Sequence, residues 1–453
     1  MIHLDVGRNM QKDKTKDDGK VPYEIDVPEE YVLRDEVRWL KAEDSKLFRF
    51  LKESMNKIEP AYVATYPPTE CGIATFTKDV VTSVAKYTPF SKPTVVAVKR
   101  KEEIEPYGRV VRTQIFRDDL QSYLDAAKYL NDSSVDVVSI QHEYGIYGGT
   151  QGEYVLDLVR ALNKPAVATL HTVLHAPNPD QKRVLQELAE LCEVVVVMVR
   201  TGRQILIDSY GIDPKKITII QHGVPNVHRV STAAVKRSLG IADRKILSTF
   251  GLINRGKGIE FAIEAVARVR EKHPNVLYLV LGETHPGVRA WEGETYRNDL
   301  LELVRRLNLE NHVRFNNRFL TLTELVRYLF ATDVYVTPYL NKDQIVSGTL
   351  AYALGCGKAI VSTPYLYAEE VLADGRGVLV DFRSPDAMAN AIIDLLDNPE
   401  KKENMEALAY KFGRRTAWFN VAIDYLDLFH RILQRNKAAQ EAVQEKETME
   451  VKK

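Results

Sequence analysis

The arrangement of apolar and polar positions along the chain predicts strands and helices in turn. After Pro60, short runs that are apolar almost throughout are separated by segments with helical periodicity, and the first runs are AYVATY, TVVAV, VDVVSI, AVATL, VVVVMV and KITII. Such strands are typical of parallel sheets that are covered on both faces, and the helices between them indicate right-handed crossovers. Residues 58–226 are therefore predicted to form one doubly wound, Rossmann-like domain.

The same pattern begins again after a segment rich in turn-forming residues. Residues 222–231, HGVPNVHRVS, interrupt the periodicity, so we expect a domain boundary and a hinge there. Further strands are predicted in KILSTFGLI, VLYLVLGE, HVRFNNRF, VYVTPYL, KAIVSTPYL and GVLV. The helix after Gly258 has one apolar face, formed by Ile259, Ala262, Ile263, Val266 and Val269. Residues 227–415 are predicted to form a second doubly wound parallel-sheet domain, so the fold class is α/β.

The two ends of the chain depart from this pattern. Residues 1–20 mix both charges with few large apolar side chains, and the spacing over 31–58 predicts one or two helices, so residues 1–57 are interpreted as a tail with a helical extension. Residues 416–436 predict a helix that must dock on a domain, because its stripe is strongly apolar: Trp418, Val421, Ala422, Tyr425, Phe429 and Ile432. The polar residues 437–453 predict a flexible end.

Composition and charge exclude several classes of function. The 453 residues carry 62 basic and 62 acidic side chains, so the chain lacks the basic excess typical of proteins that bind nucleic acid. Cys71, Cys192 and Cys356 lie far apart without a C-x-x-C pair, which favours a reducing compartment and offers no metal site.

The N-terminus lacks the apolar stretch of a secretory signal. The most apolar run, residues 194–199, is far shorter than the ~20 residues of a membrane-spanning helix. We expect a cytoplasmic protein, and peripheral membrane contact and oligomeric state stay open.

Two loops that precede helices in the predicted cleft could bind an anion. Ligands of doubly wound sheets bind beyond the carboxyl ends of the strands, so two such domains predict a site between them. In FGLINRGKG, Arg255 and Lys257 stand beside glycines at a helix start, which suits a diphosphate, although a solvated loop charge is an equal alternative for Arg255. Ser347, Gly348 and Thr349 begin a short helix that ends near Gly355 and offer a second group of amides.

Strand ends in the first domain supply further candidates. The loop with Gly72 precedes a helix and allows close approach of a ligand, although an ordinary turn is an equal alternative. His142, Glu143 and His171 each follow a strand, where a histidine is also often a packing residue. Their spacing does not match metal ligands.

Aromatic and acidic residues near these ends have two interpretations each. Tyr144 and Tyr147 suit a platform for a cyclic ligand such as a sugar, because aromatic faces stack on such rings, and they suit core packing equally. Glu370 after KAIVSTPY and His285 in GETHPGV could face a ligand in the cleft or form hydrogen bonds within their loops.

A series of motifs resembles a known family. The order YPPTECGIATF, QHEYGIYGG, TLHTVLH, IIQHGV, FGLINRGKG, GETHPGV, PYLNKDQIVSGTLAYALGCGKAIVSTPY and TAWFNVAIDY is similar to the family 4 glycosyltransferases of GT-B fold, and within them to the bacterial mannosyltransferase-like branch. The resemblance covers residues 61–434. It implies transfer of a sugar from a nucleotide donor with retention of configuration, without a required metal or other cofactor. The first domain would be the acceptor side, the second would bind the nucleotide sugar, and the C-terminal helix would cross back to the first.

The resemblance also implies roles for individual residues. Lys257 matches the lysine that binds the donor phosphates, His171 matches the histidine near the donor sugar, and Gly72 matches the glycine beneath it. The arginine that commonly accompanies the lysine falls on Leu252, which leaves Arg255 as a substitute.

Two acidic positions of the family are changed in this sequence. The usual pair of glutamates falls on Gln344 and Tyr352. Gln344 is expected to bind a sugar hydroxyl, and Tyr352 the ribose or base of the donor. The sequence therefore favours a hexosyltransferase that takes mannose from GDP-mannose to a glycan or other hydroxyl acceptor. A UDP-sugar donor, a non-catalytic protein that binds nucleotide sugars, and another GT-B enzyme such as a sugar-nucleotide epimerase stay open as alternatives.

Overall fold

The structure is a computed structural model that describes residues 58–87, 91–103 and 106–451. Within these ranges the chain forms two parallel β-sheets with apolar clusters on both faces of each sheet. The two-domain α/β fold predicted from the apolar pattern is confirmed. The tail and helical extension predicted over residues 1–57 lie outside the described residues.

The first sheet is built from seven parallel strands. They are β1 Pro60–Ala64, β2 Thr94–Lys99, β3 Val111–Phe116, β4 Val137–His142, β5 Ala166–Leu170, β6 Val194–Val197 and β7 Ile217–Ile219. The helices are α1 Gly72–Tyr87, α2 Leu120–Asp132, α3 Tyr154–Ala161, α4 Pro179–Leu191 and α5 Arg200–Tyr210. The strand order β3-β2-β1-β4-β5-β6-β7 reverses direction at β1 and β4, which creates a crevice at their carboxyl ends.

Strand β3 was not among the strands that the apolar runs predict. Its sequence VRTQIF alternates in burial, with Arg112 and Gln114 exposed. It is an edge strand that pairs with β2. Strands that are open to solvent on one face alternate apolar and polar residues, so the search for continuous apolar runs misses them.

The second sheet has six parallel strands in the order β10-β9-β8-β11-β12-β13. These are, in chain order, β8 Lys245–Phe250, β9 Val276–Leu281, β10 Val313–Asn316, β11 Val334–Thr337, β12 Ala359–Ser362 and β13 Val378–Leu379. The helices are α6 Thr232–Ser238, α7 Ile259–Lys272, α8 Pro286–Glu292, α9 Thr295–Arg306, α10 Leu322–Ala331, α11 Gly348–Gly355, α12 Leu366–Val371, α13 Pro385–Asp397 and α14 Pro399–Arg415. The apolar face predicted for α7 is buried in the core of this domain, as expected.

Short polar signals in the sequence determine where several helices begin. In α4, Asn178 and Gln181 exchange side-chain and backbone hydrogen bonds as a capping box. Thr321 and Glu324 do the same in α10, and the Ser347 side chain caps α11. Such caps satisfy amides that a helix start leaves unpaired. For α11, the capped start follows the loop at the carboxyl end of β11.

The last helix, α15 Trp418–Val451, crosses back to the first domain. Its predicted apolar stripe is buried against α1 and the first sheet, and the Tyr425 hydroxyl lies 3.0 Å from Thr169 Oγ1 of β5. The prediction that residues 437–453 form a flexible end is wrong for residues 437–451, because the helix continues to Val451. This segment is rich in Ala, Glu, Gln and Lys and has neither Gly nor Pro, so the helix continues beyond its docked part. Throughout the described part of the chain, no helix combines the length and the apolar character needed to cross a membrane.

The chain passes between the domains twice, and the two crossings lie side by side. The Val224 amide donates to the Thr416 carbonyl at 2.9 Å, and the Trp418 amide donates to the Val224 carbonyl at 3.0 Å. The Trp418 ring lies directly on Gly223, where a Cβ would come within 2.1 Å of it. The crossings therefore join the domains along one edge and leave a cleft between the carboxyl ends of the two sheets.

Candidate active site

Lys257 lies in the cleft on a single 3-10 turn between β8 and α7. Its Nζ donates a hydrogen bond to the Tyr339 hydroxyl at 2.7 Å and lies 3.8 Å from the centre of that ring. Gly258 ends the turn at φ 59°, and a Cβ there would lie 2.2 Å from the Pro338 carbonyl oxygen. A glycine is therefore required for the turn to hold Lys257 against Tyr339.

A row of hydroxyl groups connects Lys257 with the start of α11. The Tyr339 hydroxyl lies 2.6 Å from Thr349 Oγ1, which lies 3.1 Å from Ser347 Oγ. Ser347 Oγ accepts from the Leu350 amide at 3.3 Å. The structure thus brings together three of the predicted donor-binding residues, an ammonium group and the two hydroxyl residues of the helix start. Their arrangement can bind an anion through one charge and the positive end of α11.

The start of α11 faces the first domain at His222. A Cβ on Gly348 would lie 3.0 Å from His222 Nε2, so the ring and the backbone of α11 are in close contact. His222 Nδ1 lies 2.7 Å from the Gly223 carbonyl oxygen, which accepts, so Nδ1 carries the proton and Nε2 is left as an acceptor. Burial lowers the pKa of His222 to about 4. This ring is therefore neutral near pH 7.

His171 lies beside His222 on the first-domain side of the cleft. Phe76 packs edge-on against both rings, with centroid distances of 4.8 Å to His171 and 5.1 Å to His222. His171 Nε2 lies 3.1 Å from Gln141 Oε1, which accepts, while the Gln141 amide donates to Ser139 Oγ at 3.1 Å. Burial, with the nearby His222 and His142 as smaller causes, lowers the pKa of His171 to about 3. The first-domain wall therefore presents neutral rings.

Gly72 and His285 lie at the starts of helices on opposite sides of the cleft. Gly72 begins α1, and a Cβ there would meet no atom within 4 Å, so the backbone borders open space. His285 caps α8 by accepting from the Gly287 amide at 3.1 Å. Burial and the charge of Lys257 lower the pKa of His285. His285 therefore forms the loop hydrogen bond that the sequence left open and also lies near Lys257.

Arg255 does not join the group around Lys257, in contrast to its predicted role. Its guanidinium donates to Asp299 at 3.0 Å and to Glu292 at 3.4 Å, and it lies over the Tyr296 ring at 5.1 Å. The acidic residues of α8 and α9 thus hold it on an exposed surface, because two carboxylates compete for its charge.

The two positions that replace the family's glutamates are bonded within the protein. Tyr352 is buried and donates to the Asp79 carboxylate of α1, so the predicted contact with a donor ribose or base is wrong for this conformation. The Gln344 amide donates to the Val346 carbonyl of its own loop at 2.8 Å. A phenol is long enough to reach the opposite domain, which sequence spacing alone does not reveal.

The strand-end residues His142 and Tyr147 lie in the core, so the packing alternative that the sequence left open for each of them holds. His142 is fully buried, and neither ring nitrogen has a hydrogen-bond partner among the described residues. Tyr147 is buried and its hydroxyl reaches the Val63 and Gln141 carbonyls at 3.0 and 2.9 Å. Tyr144 is also buried and donates to the Gln181 carbonyl at 3.3 Å. The core-packing alternative therefore holds for both tyrosines.

Two carboxylates among the predicted cleft residues are already bound. Glu143 accepts from the Thr172 hydroxyl and from the Tyr144 amide, and burial raises its pKa. Glu370 accepts from the amides of Arg200 at 2.9 Å and Thr201 at 3.0 Å, so it caps α5 of the other domain. Glu370 is thus a contact between the domains rather than a free donor ligand.

Two site residues were missed from the sequence. Tyr339 follows β11, and the strand-end argument that selected the histidines would have selected it too. Asp79 lies in the interior of α1 on its buried face, and the sequence signal for it was an acidic residue in a helix that must pack against the sheet. Among the described residues, no three His, Cys, Asp or Glu side chains are arranged to hold a metal ion.

Comparisons of sequence are in agreement with this two-part arrangement. The model described as Glycosyltransferase Family 4 matches residues 84–226, and the model described as Glycosyl transferases group 1 matches residues 232–412. The D-inositol 3-phosphate glycosyltransferase of Corynebacterium glutamicum (strain R) is 26% identical over 315 residues, which span 64% of this chain and 71% of the relative.

Solved structures with the same fold include two proteins that align with most of this chain. Sucrose-phosphate synthase from Thermosynechococcus elongatus superposes with a TM-score of 0.67 at 17% identity, over 83% of this chain and 100% of that chain. Anabaena HepE in complex with UDP and glucose superposes with a TM-score of 0.64 at 15% identity, over 82% and 99%. The two family models match the two domains in turn on this shared fold, and the chain is therefore a glycosyltransferase of GT-B fold.

Proposed function

We propose that the protein transfers a hexose, with retention of configuration, from a nucleotide sugar to a hydroxyl group of a glycan or other acceptor, and that the donor is GDP-mannose. The observation that carries the proposal is the state of Lys257. No carboxylate among the described residues forms an ion pair with it, and its ammonium group donates a hydrogen bond to the uncharged Tyr339 hydroxyl. An ammonium group left unpaired beside a helix start is suited to a diphosphate.

The chemistry proposed for this site depends on the leaving group. The bond between the anomeric carbon and the diphosphate oxygen breaks as the acceptor oxygen bonds to the same face of that carbon. The acceptor proton passes to the departing phosphate oxygen, so no protein carboxylate is needed as a base. Lys257 and the amides after Ser347 would neutralise the developing charge, and preorganised donors of this kind each contribute about 10²–10³ in rate.

The neutral wall of the first domain suits the sugar. His171 and His222 keep fixed tautomers through Gln141 and the Gly223 carbonyl, so each ring has one nitrogen left for a hydroxyl group. Because both pKa values are low, neither ring adds charge that would compete with Lys257 for the diphosphate. We propose that these rings orient the hexose and that Gly72 leaves the space beneath it.

The identity of the donor is supported in two steps. HepE, which shares the fold, is described in complex with UDP and glucose, which supports a nucleotide sugar. The motifs of the mannosyltransferase-like branch favour GDP-mannose over a UDP-hexose. A UDP-sugar donor is the second candidate, because the same HepE complex contains UDP.

The test uses the purified chain of 453 residues. GDP-mannose and UDP-glucose are each incubated with and without an acceptor extract, nucleotide release is measured, and the anomeric configuration of the product is read by NMR. Acceptor-dependent release of GDP with an α-linked product is expected. Release from UDP-glucose alone would reject the GDP-mannose donor.

A binding measurement separates a transferase from a non-catalytic protein. GDP and UDP are titrated in a thermal-shift assay, where a bound nucleotide raises the melting temperature with its saturation. A shift without turnover of either donor favours the non-catalytic alternative. If no nucleotide raises the melting temperature and no donor is turned over, the whole proposal is contradicted.

A further inference from the structure

The side chains of Asp79 and Tyr352 form a buried hydrogen bond between the two domains. The Tyr352 hydroxyl of α11 donates to the Asp79 carboxylate of α1, and both residues are less than 8% exposed. The neighbours of Asp79 on the buried face of α1 are uncharged, namely Phe76 one turn before it and the hydroxyl residues Thr82 and Ser83 one turn after it. Packing of the first domain does not call for a carboxylate there, because a buried acid is costly unless it has a partner. Its partner comes from the other domain.

The position of this pair relates it to the cleft. Asp79 lies seven residues after Gly72, about two turns along α1, and Tyr352 lies four residues after Gly348, about one turn along α11. Both helices begin at the cleft. The hydrogen bond thus ties the two helices together just behind the ends that would contact a ligand.

The aromatic residues around the pair connect it with the first-domain histidines. The Tyr352 ring meets His222 edge-on at 6.1 Å, and Phe76, one turn before Asp79, contacts both His222 and His171. A shift of α1 relative to α11 would therefore move these rings relative to Lys257.

We infer that Asp79 and Tyr352 are positioning residues that set the distance between the charged wall and the neutral wall of the cleft. The inference rests on the transfer reaction proposed above. Neither side chain touches the donor. They act by holding α1 and α11 in register, so that the sugar held by one domain and the diphosphate held by the other stay aligned. Small misplacements of reacting groups are costly in rate, on the order of 10²-fold for 1 Å.

The pair is tested with four variants and one matched control. Tyr352→Phe and Asp79→Leu each remove one partner, the combined variant removes both, and Asp79→Asn keeps an oxygen that accepts from the tyrosine. Tyr425→Phe is the control, since it removes another buried tyrosine hydroxyl with a close partner, Thr169, in α15. We measure kcat and donor KM, and the Kd of GDP and UDP by calorimetry.

The expected result is a change in kcat alone. Tyr352→Phe and Asp79→Leu each lower kcat about tenfold with donor KM and nucleotide Kd within about twofold. The combined variant is no slower than either single variant, because both remove one interaction. Asp79→Asn recovers most of the rate, and Tyr425→Phe keeps it.

Three outcomes overturn the inference. A tenfold weaker nucleotide Kd in Tyr352→Phe, with Asp79→Leu unaffected, would mean that Tyr352 contacts the donor directly. Additive losses in the combined variant would mean that the residues act separately. If Tyr425→Phe lowers kcat as much as Tyr352→Phe does, the loss would reflect the removal of any buried tyrosine hydroxyl and not of this contact between the domains.

A second readout decides the matter if the wild-type chain turns over no donor, which is a failure of the proposed function and not of this inference. Small-angle X-ray scattering of the wild type and of Tyr352→Phe compares the separation of the domains. A larger radius of gyration in the variant supports the inference. Identical scattering curves contradict it.

Discussion

The two walls of the cleft differ in how they would treat a ligand. The second-domain wall carries one unpaired ammonium group, a row of hydroxyls and the start of α11. The first-domain wall carries His171 and His222, which burial keeps neutral. Lys257 thus lies on the side where a diphosphate would lie under the proposed function, and the two histidines offer uncharged hydrogen-bonding groups opposite it. The proposed division between the walls requires no carboxylate at position 344 or 352.

A second contrast lies within one turn of the charged wall. Lys257 and Arg255 are two residues apart, yet Lys257 is directed to Tyr339 and Arg255 to Asp299 and Glu292. A cation near a helix start is therefore not enough to identify a phosphate ligand. Nearby acids decide which cation is left unpaired.

The largest effect is expected from removal of the charge on the second-domain wall. Lys257→Ala should lower kcat about 10²–10³-fold, because the leaving group loses its cation. Steady-state kinetics with the preferred donor measures it, and circular dichroism checks the fold. A loss smaller than about fivefold would mean that the α11 amides suffice alone.

The next effect concerns the neutrality of the first domain. His142 is fully buried without a partner, and burial lowers its pKa from 6.5 to about 4. Below pH 6.5 the unfolded chain binds a proton that the folded chain refuses, so stability is lost as the pH falls from about 6.5 to about 4. Between pH 7 and pH 5 the loss from this residue should be about 2 kcal/mol.

Guanidinium unfolding at both pH values measures this loss. Between pH 7 and pH 5, the free energy of unfolding of His142→Phe should fall by about 2 kcal/mol less than that of the wild type. Replacement of the exposed His175 with Gln is the control, and this variant should lose as much stability as the wild type. Equal acid sensitivity of His142→Phe and wild type would show that burial does not hold the ring neutral.

A smaller effect is expected where the two walls touch. Gly348→Ala places a methyl group 3.0 Å from His222 Nε2, so the His222 ring or α11 must shift by a few tenths of an ångström. We expect kcat/KM for the donor to fall about tenfold, on the scale of misplacement effects in active sites. In a protein that already carries His222→Ala there is room for the methyl group. Adding Gly348→Ala there should therefore lower kcat/KM less than it does in the wild type. If the clash is not the cause, Gly348→Ala will be equally harmful in both backgrounds.

The smallest effect is expected at Arg255. Its partners are the exposed Asp299 and the partly exposed Glu292, and ion pairs at the surface contribute little, so Arg255→Ala should change kcat and KM less than about twofold and barely alter stability. Kinetics run beside Lys257→Ala provide the check. A tenfold loss would mean that Arg255 leaves Asp299 when a donor binds.

The fold could be predicted from the sequence further than the site could. Continuous apolar runs identify strands covered on both faces, and they fail only at the half-exposed edge strand β3. The short helix at Ser347 and the apolar face of α7 also follow from local sequence, because caps and helical periodicity are local.

The site depended on contacts that join distant parts of the chain. The acids on α8 and α9 take Arg255, the phenol of Tyr352 reaches Asp79 across the domains, and His142 is inside the core although it ends a strand like His171. The strand-end criterion places a residue at the correct edge of a sheet. It does not determine which way a side chain turns or what it meets there, since those depend on the packing of the other domain.

The paired crossings described above limit how this enzyme can open. Val224 and Trp418 are hydrogen bonded where the outgoing and returning segments run together, and the indole leaves no space above Gly223. Sliding one lobe past the other would break these bonds, while swinging about the paired segments would keep them. Substrates should then enter and leave from the side opposite the crossings.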